Sequence, residues 1–370
     1  MPLAKEGSGV LKRHKKKKKH LLLDPEKFID NGGRGIFVPQ ALMQKYKLVE
    51  GAAVSGPVRR GQGGPILAGV RTVCGLAPED FRKRRAYTQL TALPPDQRFN
   101  LALGGEPAMR IVDLMAPIAK GTRGLIVSPP RAGKTILLEQ IAKAIHTFDP
   151  KTRIIVLLVD ERPEEVTHFR RQVDAEVLAS SNDLDIRRHI ELTEFVMAHV
   201  ITELECGKDV VVLVDSLTRM ARAFNLGGRQ SQKNRGRIMS GGLQAGALEI
   251  PRRFFGMARN IENGGSVTII ATVLVDTGSR MDQLIFEEFK GTGNCEIILD
   301  RSIAEARIFP AINLNASGTR KEELLFPANH HKQISRLRRA LAKLNPKEGM
   351  ELFLKFLKKY PTNEDFLNEI

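Results

Sequence analysis

Short apolar pieces broken by turn residues fill the first part of the chain, and longer apolar runs alternating with helical periodicity fill the rest. Residues 35–38, 53–59 and 66–74 read as strands, interrupted by Gly-Gln-Gly-Gly at 61–64, and together predict a small β-barrel. A basic F-R-K-R-R run at 81–85 leads into residues 90–103, where Pro94 and Pro95 forbid regular helix, so the domain boundary falls in this stretch. From Ile111 onward strands and helices alternate, the pattern of a mostly parallel sheet covered by helices on both faces. Apolar runs at 124–127, 153–159, 209–214, 266–275 and 295–299 read as buried strands. Residues 136–145 have helical spacing, as do residues 186–205, whose Leu192, Phe195, Val196, Val200, Ile201 and Leu204 share one face. Ile334, Leu337, Leu341 and Leu344 repeat at three and four, so the last forty residues read as helices. The expected organisation is a basic disordered leader at 1–20, a small barrel at 21–80, a connector at 81–118 and an α/β domain at 119–370 that ends in helices.

Charge narrows the partners. The 370 residues carry a formal +16, and nearly half of that excess lies in the leader, where Lys5, Lys12, Arg13 and Lys15 to Lys19 face only Glu6. Such a balance favours a polyanion, nucleic acid before membrane, because neutralised phosphates release counterions. Cys74, Cys206 and Cys295 are odd in number and far apart, which argues against a disulfide framework and for a reducing cytoplasm. His14 and His20 lie in the leader and His330 and His331 at a helix start, with no metal-ligand spacing. No apolar run approaches the ~18 residues of a membrane span, and the leader is followed only by Leu21 to Leu23, too little for a signal peptide.

The chemistry centres on G-L-I-V-S-P-P-R-A-G-K-T at 124–135. A buried strand that breaks at small and Pro residues and resumes as a helix aims backbone N–H groups and the positive end of the helix dipole at one point, which suits a phosphate. Residues Ser128, Pro129, Pro130, Arg131, Ala132 and Gly133 form the turn; Lys134 reaches the β and γ phosphates, and the Thr135 hydroxyl holds Mg²⁺. Ser128 stands where the phosphate-loop pattern G-x-x-x-x-G-K-[ST] has its first Gly. Two more strands end in carboxylates. Asp215 closes D-V-V-V-L-V and has the context of a Walker B aspartate on Mg²⁺, while Glu161, at the end of R-I-I-V-L-L-V-D, is the candidate for orienting or deprotonating the attacking water. Arg307 and Arg320 flank a non-helical stretch, and an Arg on an exposed turn suits a finger supplied across a subunit boundary. The basic, Gly-rich residues 226–240 and the D-T-G-S-R-M-D turn at 276–282 read as loops that track a single-stranded nucleic-acid backbone.

These segments resemble the transcription termination factor Rho family. The resemblance rests on the phosphate loop, D-E-R-P-E-E-V-T at 160–167, Asp215 with S-L-T-R-M-A-R-A at 216–223, R-F-F-G-M-A-R-N at 253–260, D-T-G-S-R-M-D at 276–282, E-E-F-K-G-T-G-N at 287–294 and S-G-T-R-K-E-E-L-L at 317–325. It implies an α/β, RecA-like ATPase core preceded by an OB/cold-shock-like barrel. It also implies a homohexameric ring that uses ATP and Mg²⁺, translocates along single-stranded RNA in the cytoplasm and releases RNA from the RNA polymerase elongation complex. By the same resemblance Glu161 is the catalytic carboxylate with Arg162 beside it, Arg131 is a second basic position in the loop, Arg320 is the finger and Arg307 a second arginine at the transition state. The channel contacts map to Arg237, Ile238, Ser240 and Gly241 and to Ser279 and Arg280, with Lys290 near the link between RNA and ATP. One departure stands out. Where the family's barrel carries a Gly-Phe-Gly-Phe type strand for stacking bases, this chain has L-K-R-H-K-K-K-K-K-H-L-L-L, and no small helical module precedes its leader. A rotary or recombinase-like ATPase shares the sheet, loop and finger, and a nucleic-acid binder with an inactive ATPase is a third reading.

Overall fold

The computed structural model describes residues 5–14, 19–29, 34–230, 240–244 and 246–369. The first domain is a sheet of β1 (Glu6–His14), β2 (Lys19–Leu23), β3 (Ile36–Val38), β4 (Ala53–Gly61), β5 (Gly64–Leu67) and β6 (Thr72–Val73). Its order is β1-β2-β3-β5-β4-β6, and β1 also pairs with β4, which closes it into a barrel. Helices α1 (Gln40–Tyr46) and α2 (Pro78–Phe81) cover its ends. Leu11, Leu22, Val38, Val54, Leu67, Val73 and Phe81 fill the interior.

The expected disorder at residues 1–20 is contradicted for Glu6–His14 and for Lys19 and His20, which are strand residues. Two physical reasons outweigh the charge. Ladder hydrogen bonds use backbone groups, so a Lys-rich strand pairs as well as any other, here from Val10 opposite Leu23 to His14 opposite Lys19. The centre of β1 is also buried on both faces: Leu11 points into the barrel, while Val10 joins Leu23 and Phe28 against Phe195 of the second domain. Residues 1–4 and 15–18 of that leader lie outside the described residues.

The second domain begins at β7 (Ala92–Leu93) and α3 (Pro107–Met115), then runs β8 (Arg123–Ser128), α4 (Lys134–Phe148), β9 (Arg153–Glu161), α5 (Pro163–Gln172), β10 (Glu176–Ser181), α6 (Ile186–Glu205), β11 (Asp209–Asp215) and α7 (Leu217–Gln230). It continues with α8 (Glu249–Gly256), β12 (Arg259–Ile261), β13 (Ser266–Leu274), α9 (Arg280–Lys290), β14 (Cys295–Ile298), α10 (Arg301–Glu305) and β15 (Gly318–Thr319), and ends in α11 (Ala328–Leu341), α12 (Pro346–Lys359) and α13 (Asn363–Asn368). The sheet order is β10-β9-β11-β13-β8-β14-β15, parallel throughout except for the edge strand β15, with β12 antiparallel on β13. Alternate residues of each central strand feed two cores. Val156, Leu158, Leu213, Ile126 and Ile270 pack on α4 through Leu138, Ile141 and Ile145; Ile155, Leu157, Val212, Val214 and Ile269 pack on α6, α7 and α8 through Phe195, Val196, Met220 and Phe254.

Helix α6 occupies the span its periodicity predicts, and its middle is the seat of the barrel. Phe28 stacks on Phe195 with ring centroids 4.3 Å apart, and the buried His199 Nδ1–H donates to the Gly51 carbonyl at 2.6 Å. Gly51 has a φ of 89°, and a Cβ there would lie 2.2 Å from the Ala198 carbonyl oxygen, so only glycine lets the barrel come this close. Helix α7 differs from expectation, because residues 226–230 continue the helix rather than open a loop. The reason is close packing: a Cβ on Gly227 would fall 2.4 Å from Ile190 Cδ1 of α6, so here glycine serves helix approach.

Candidate functional site

Parallel strands that share a direction deliver their last residues to one edge, where doubly wound sheets place ligands. Ser128, Glu161 and Asp215 end β8, β9 and β11 at that edge. Beyond Ser128 the chain turns through buried Pro129 and exposed Pro130, Arg131 at φ 64°, buried Ala132, and Gly133 at φ 92°, which caps α4. Lys134 and Thr135 are the first residues of α4, so the loop's N–H groups and the helix N-terminus converge as a phosphate cradle requires. Lys134 Nζ bonds Asp215 Oδ2 at 2.6 Å and lies 3.4 Å from Thr135 Oγ1, while Thr272 Oγ1 donates to Asp215 Oδ1 at 2.8 Å.

Asp215 and Glu161 are both buried, at 0% and 1% exposure. Burial, followed by repulsion from Asp215, pushes the Glu161 carboxyl up to about 7 against the opposing pull of Lys134 and Arg219. Arg219 Nη2 donates to Glu161 Oε1 at 3.2 Å, and its Nη1 donates to the Asp160 carbonyl. Glu161 Oε2 is buried with no hydrogen-bond partner among the described residues, which leaves an acceptor for a water. Mg²⁺ takes few protein oxygens and completes its shell from waters and substrate phosphates. Thr135 Oγ1 and the Asp215 carboxylate, both on Lys134 Nζ, fit that donor set, and among the described residues no cluster of three or more His, Cys, Asp or Glu offers a denser cage.

The two arginines part company. Arg307, exposed at φ 59° after α10, lines a hollow of about 320 Å³ with Pro130, Arg131, Arg301 and Glu305, beside its own chain's loop. Arg320 is at the other end of the sheet. Its N–H bonds the Asn294 carbonyl, and Asn294 Oδ1 accepts from Arg123 N–H at the start of β8, so the length of β8, about 16 Å, separates it from Ser128. Arg162 is exposed at the N-cap of α5.

Of the nucleic-acid candidates, Arg237 and Ile238 lie outside the described residues. Ser240 and Gly241 begin a short turn, and a Cβ on Gly241 would lie 2.5 Å from Leu284 Cδ1, so this turn rests on α9. Ser279 caps α9, exposed Arg280 opens it, and exposed Lys290 closes it. The Arg222 guanidinium forks onto Asp282 in the first turn of α9, with Nε 2.9 Å from Oδ1, and Thr277 Oγ1 donates to Oδ2 at 2.6 Å. Arg219 and Arg222 lie one turn apart near the start of α7, so one helix touches Glu161 and, a turn later, Asp282 in the first turn of α9. Neither arginine was assigned a role from sequence; their spacing of three in S-L-T-R-M-A-R-A, directly after Asp215, was the available signal.

A model of the ATP synthase alpha/beta family, nucleotide-binding domain, matches residues 108–319. The transcription termination factor Rho of Streptomyces lividans is 45% identical over 361 residues, which cover 94% of this chain and 50% of that protein. The transcription termination factor Rho of Aquifex aeolicus is 47% identical over 340 residues, covering 90% of this chain and 77% of that one. The chain belongs to the transcription termination factor Rho family. It spans half the length of its Streptomyces relative. A solved ATPase from the type III secretion system of pathogenic bacteria shares the fold of 77% of this chain and 78% of its own, at a TM-score of 0.61 and 21% identity.

In the barrel, Lys12, Arg13 and His14 pair with Leu21, His20 and Lys19. A groove of about 1180 Å³ runs past His14, Lys19, Arg34, Phe37, Arg59 and Arg60, and Lys19 Nζ lies 5.6 Å from the Phe37 ring centroid. No described helix is long and apolar enough to cross a membrane.

The burial of Glu161 makes its titration a direct readout of the site. In the nucleotide-free chain its carboxyl is expected to ionise with a midpoint near 7, followed by carboxyl ¹³C shifts, and Asp215→Asn lowers that midpoint by removing the repelling charge and freeing Lys134. The folded chain holds this proton more tightly than the unfolded chain, so stability falls as pH rises from the ordinary glutamate range toward 7. A midpoint in the ordinary glutamate range contradicts the assignment.

Proposed function

We propose that the chain is an RNA-dependent ATPase that works as a homohexameric ring, translocates 5′ to 3′ along single-stranded RNA and terminates transcription by releasing nascent RNA from the RNA polymerase elongation complex. The observation that carries this reading is the convergence of Lys134, Asp215 and the buried Glu161 at one sheet edge, joined through α7 to the Ser279 turn. When ATP enters, its phosphates take Lys134 Nζ from Asp215, and the Asp215 carboxylate and Thr135 hydroxyl are released for Mg²⁺, which neutralises phosphate charge when bound. Glu161, facing away from Arg219 through Oε2, accepts the proton of the attacking water or orients it. Arg307 adds positive charge from the same chain.

Arg320 stands too far from its own loop to help there, which supports its service to a neighbouring subunit. The basic groove of the barrel supports a primary RNA site that tracks phosphates, with Phe37 as its aromatic platform. Arg280, Lys290 and the segment around Arg237 to Gly241 then contact the strand in the central channel.

ATP turnover with and without single-stranded RNA tests the reading. RNA stimulates turnover if it holds; RNA-independent turnover favours a rotary-type ATPase, and none favours a binding protein. Lys134→Ala abolishes turnover with RNA binding retained. Arg320→Ala lowers it about a thousandfold and poisons mixed rings, because each finger serves the next subunit's nucleotide; mixed rings that lose activity only in proportion to the variant's share count against a shared site. For the barrel, four groove cations, Lys19, Arg34, Arg59 and Arg60, predict that log affinity falls with log salt at a slope of roughly −3, with little preference for cytosine. A shallow slope with strong cytosine preference contradicts that.

A further inference from the structure

Each domain brings one cysteine to their shared boundary. Cys74 follows β6 at φ 49°, fixed by its N–H on the Ala53 carbonyl at 2.7 Å. Cys206 caps the C-terminus of α6, its N–H shared between the Thr202 and Glu203 carbonyls at 3.2 and 3.1 Å. Far apart in sequence, the two cysteines belong to the same apolar cluster that closes the barrel against α6; Cys74 shares a hollow with Glu203 and Lys208, which flank Cys206, and a Cβ on Gly75 would lie 3.4 Å from Lys208 Nζ. Cys74 is 3% exposed yet lines a hollow of about 310 Å³ between the domains, with Arg153, Glu203 and Lys208 around it, and Cys206 is partly exposed. The third cysteine, Cys295, is buried in the ATPase core, where its thiol faces the Ala116 carbonyl at 3.7 Å.

The surroundings divide the labour between the pair. The neighbouring Cys74 thiol, and the positive charge of Arg84, which Glu205 holds at 2.9 Å, keep the Cys206 thiol below the usual thiol range. The contact with Cys206, then burial and the Glu203 charge, push the Cys74 thiol well above it. A thiolate-prone, partly exposed sulfur beside a protonated buried one is the arrangement of an attacking and a resolving cysteine.

We propose that Cys74 and Cys206 form a reversible redox modification site, in which hydrogen peroxide drives an intrachain disulfide that fastens the barrel to the end of α6. The Cys206 thiolate attacks the peroxide O–O bond and takes one oxygen as the sulfenic acid; the departing hydroxide is protonated to water. The Cys74 sulfur then attacks that sulfenic sulfur, its proton leaves with the hydroxyl as a second water, and the S–S bond forms. The two sulfurs give up two electrons in all, and the peroxide accepts both. A dithiol reductant reverses the bond, as suits a redox-sensing disulfide in a reducing compartment. The site goes beyond the proposed ATPase reaction and uses none of its residues.

The test is chemical and independent of nucleotide or RNA. The reduced full-length chain is treated with hydrogen peroxide, denatured, and its free thiols are counted and mapped by mass spectrometry. Free thiols fall from three to one, a linked peptide joins Cys74 to Cys206, Cys295 stays free, and dithiothreitol restores all three. In Cys74→Ser, Cys206 accumulates as a sulfenic acid trapped by dimedone, and in Cys206→Ser the linked peptide is absent. Oxidation of the wild-type chain that leaves Cys206 as a trapped sulfenic acid with no link, that joins cysteines of different chains, or that spares both residues overturns the proposal, whether or not either variant folds.

Discussion

Two carboxylates buried at the ends of adjacent parallel strands repel each other away from bulk solvent. That constraint shapes the site. Asp215 resolves it with Lys134 and Thr272, and Glu161 resolves it partly with Arg219 and partly by holding its proton to about pH 7. The phosphate-loop lysine is thus engaged with a carboxylate before any nucleotide arrives. In the proposed reaction a bound phosphate competes for that lysine, so binding would redistribute charge over the Lys134–Asp215 and Arg219–Glu161 pairs, and the carboxylate it would release is the one suited to a metal.

Everything that surrounds this group serves to hold it still or to connect it. The strands are fixed by two full cores, one on each face, and the barrel is seated on α6 through Phe28, His199 and Gly51 rather than on the sheet edge that carries the chemistry. Helix α7 starts directly after Asp215 and Ser216 and carries Arg219 and Arg222 to Glu161 and Asp282, respectively. A shift of that helix along its axis moves both contacts together, because an α-helix is stiff over so short a length. The basic turn at Ser279 and the turn at Ser240–Gly242, which rests on the same α9, are therefore mechanically joined to the nucleotide edge.

Much of this was legible in the sequence, for identifiable reasons. Buried parallel strands are continuous apolar runs, so β9 and β11 and the carboxylates at their ends stood out, and α6 is so strongly periodic that its two ends were readable. The strand at Glu6–His14 was not, because Lys, Gly and Ser conceal the buried Val10 and Leu11, and pairing depends on backbone groups that no side-chain pattern reports. The helical continuation through Gln230 was hidden by glycines that read as loop, of which Gly227 instead allows α6 and α7 to touch. The roles of Arg219 and Arg222 were hidden too, since their partners Glu161 and Asp282 are about sixty residues away on either side. Sequence alone also gave no sign that Arg307 and Arg320 sit at opposite ends of β8, the difference on which the proposed split of their roles rests.

The central claim is that nucleotide and RNA communicate through α7. The most direct measurement compares Arg222→Ala with the parent chain for nucleotide affinity without RNA and for stimulation of ATP turnover by single-stranded RNA. The account predicts nucleotide affinity within about twofold of the parent and a loss of stimulation of at least about fivefold, because only the joint between α7 and α9 has been cut. Undiminished stimulation in Arg222→Ala would contradict it.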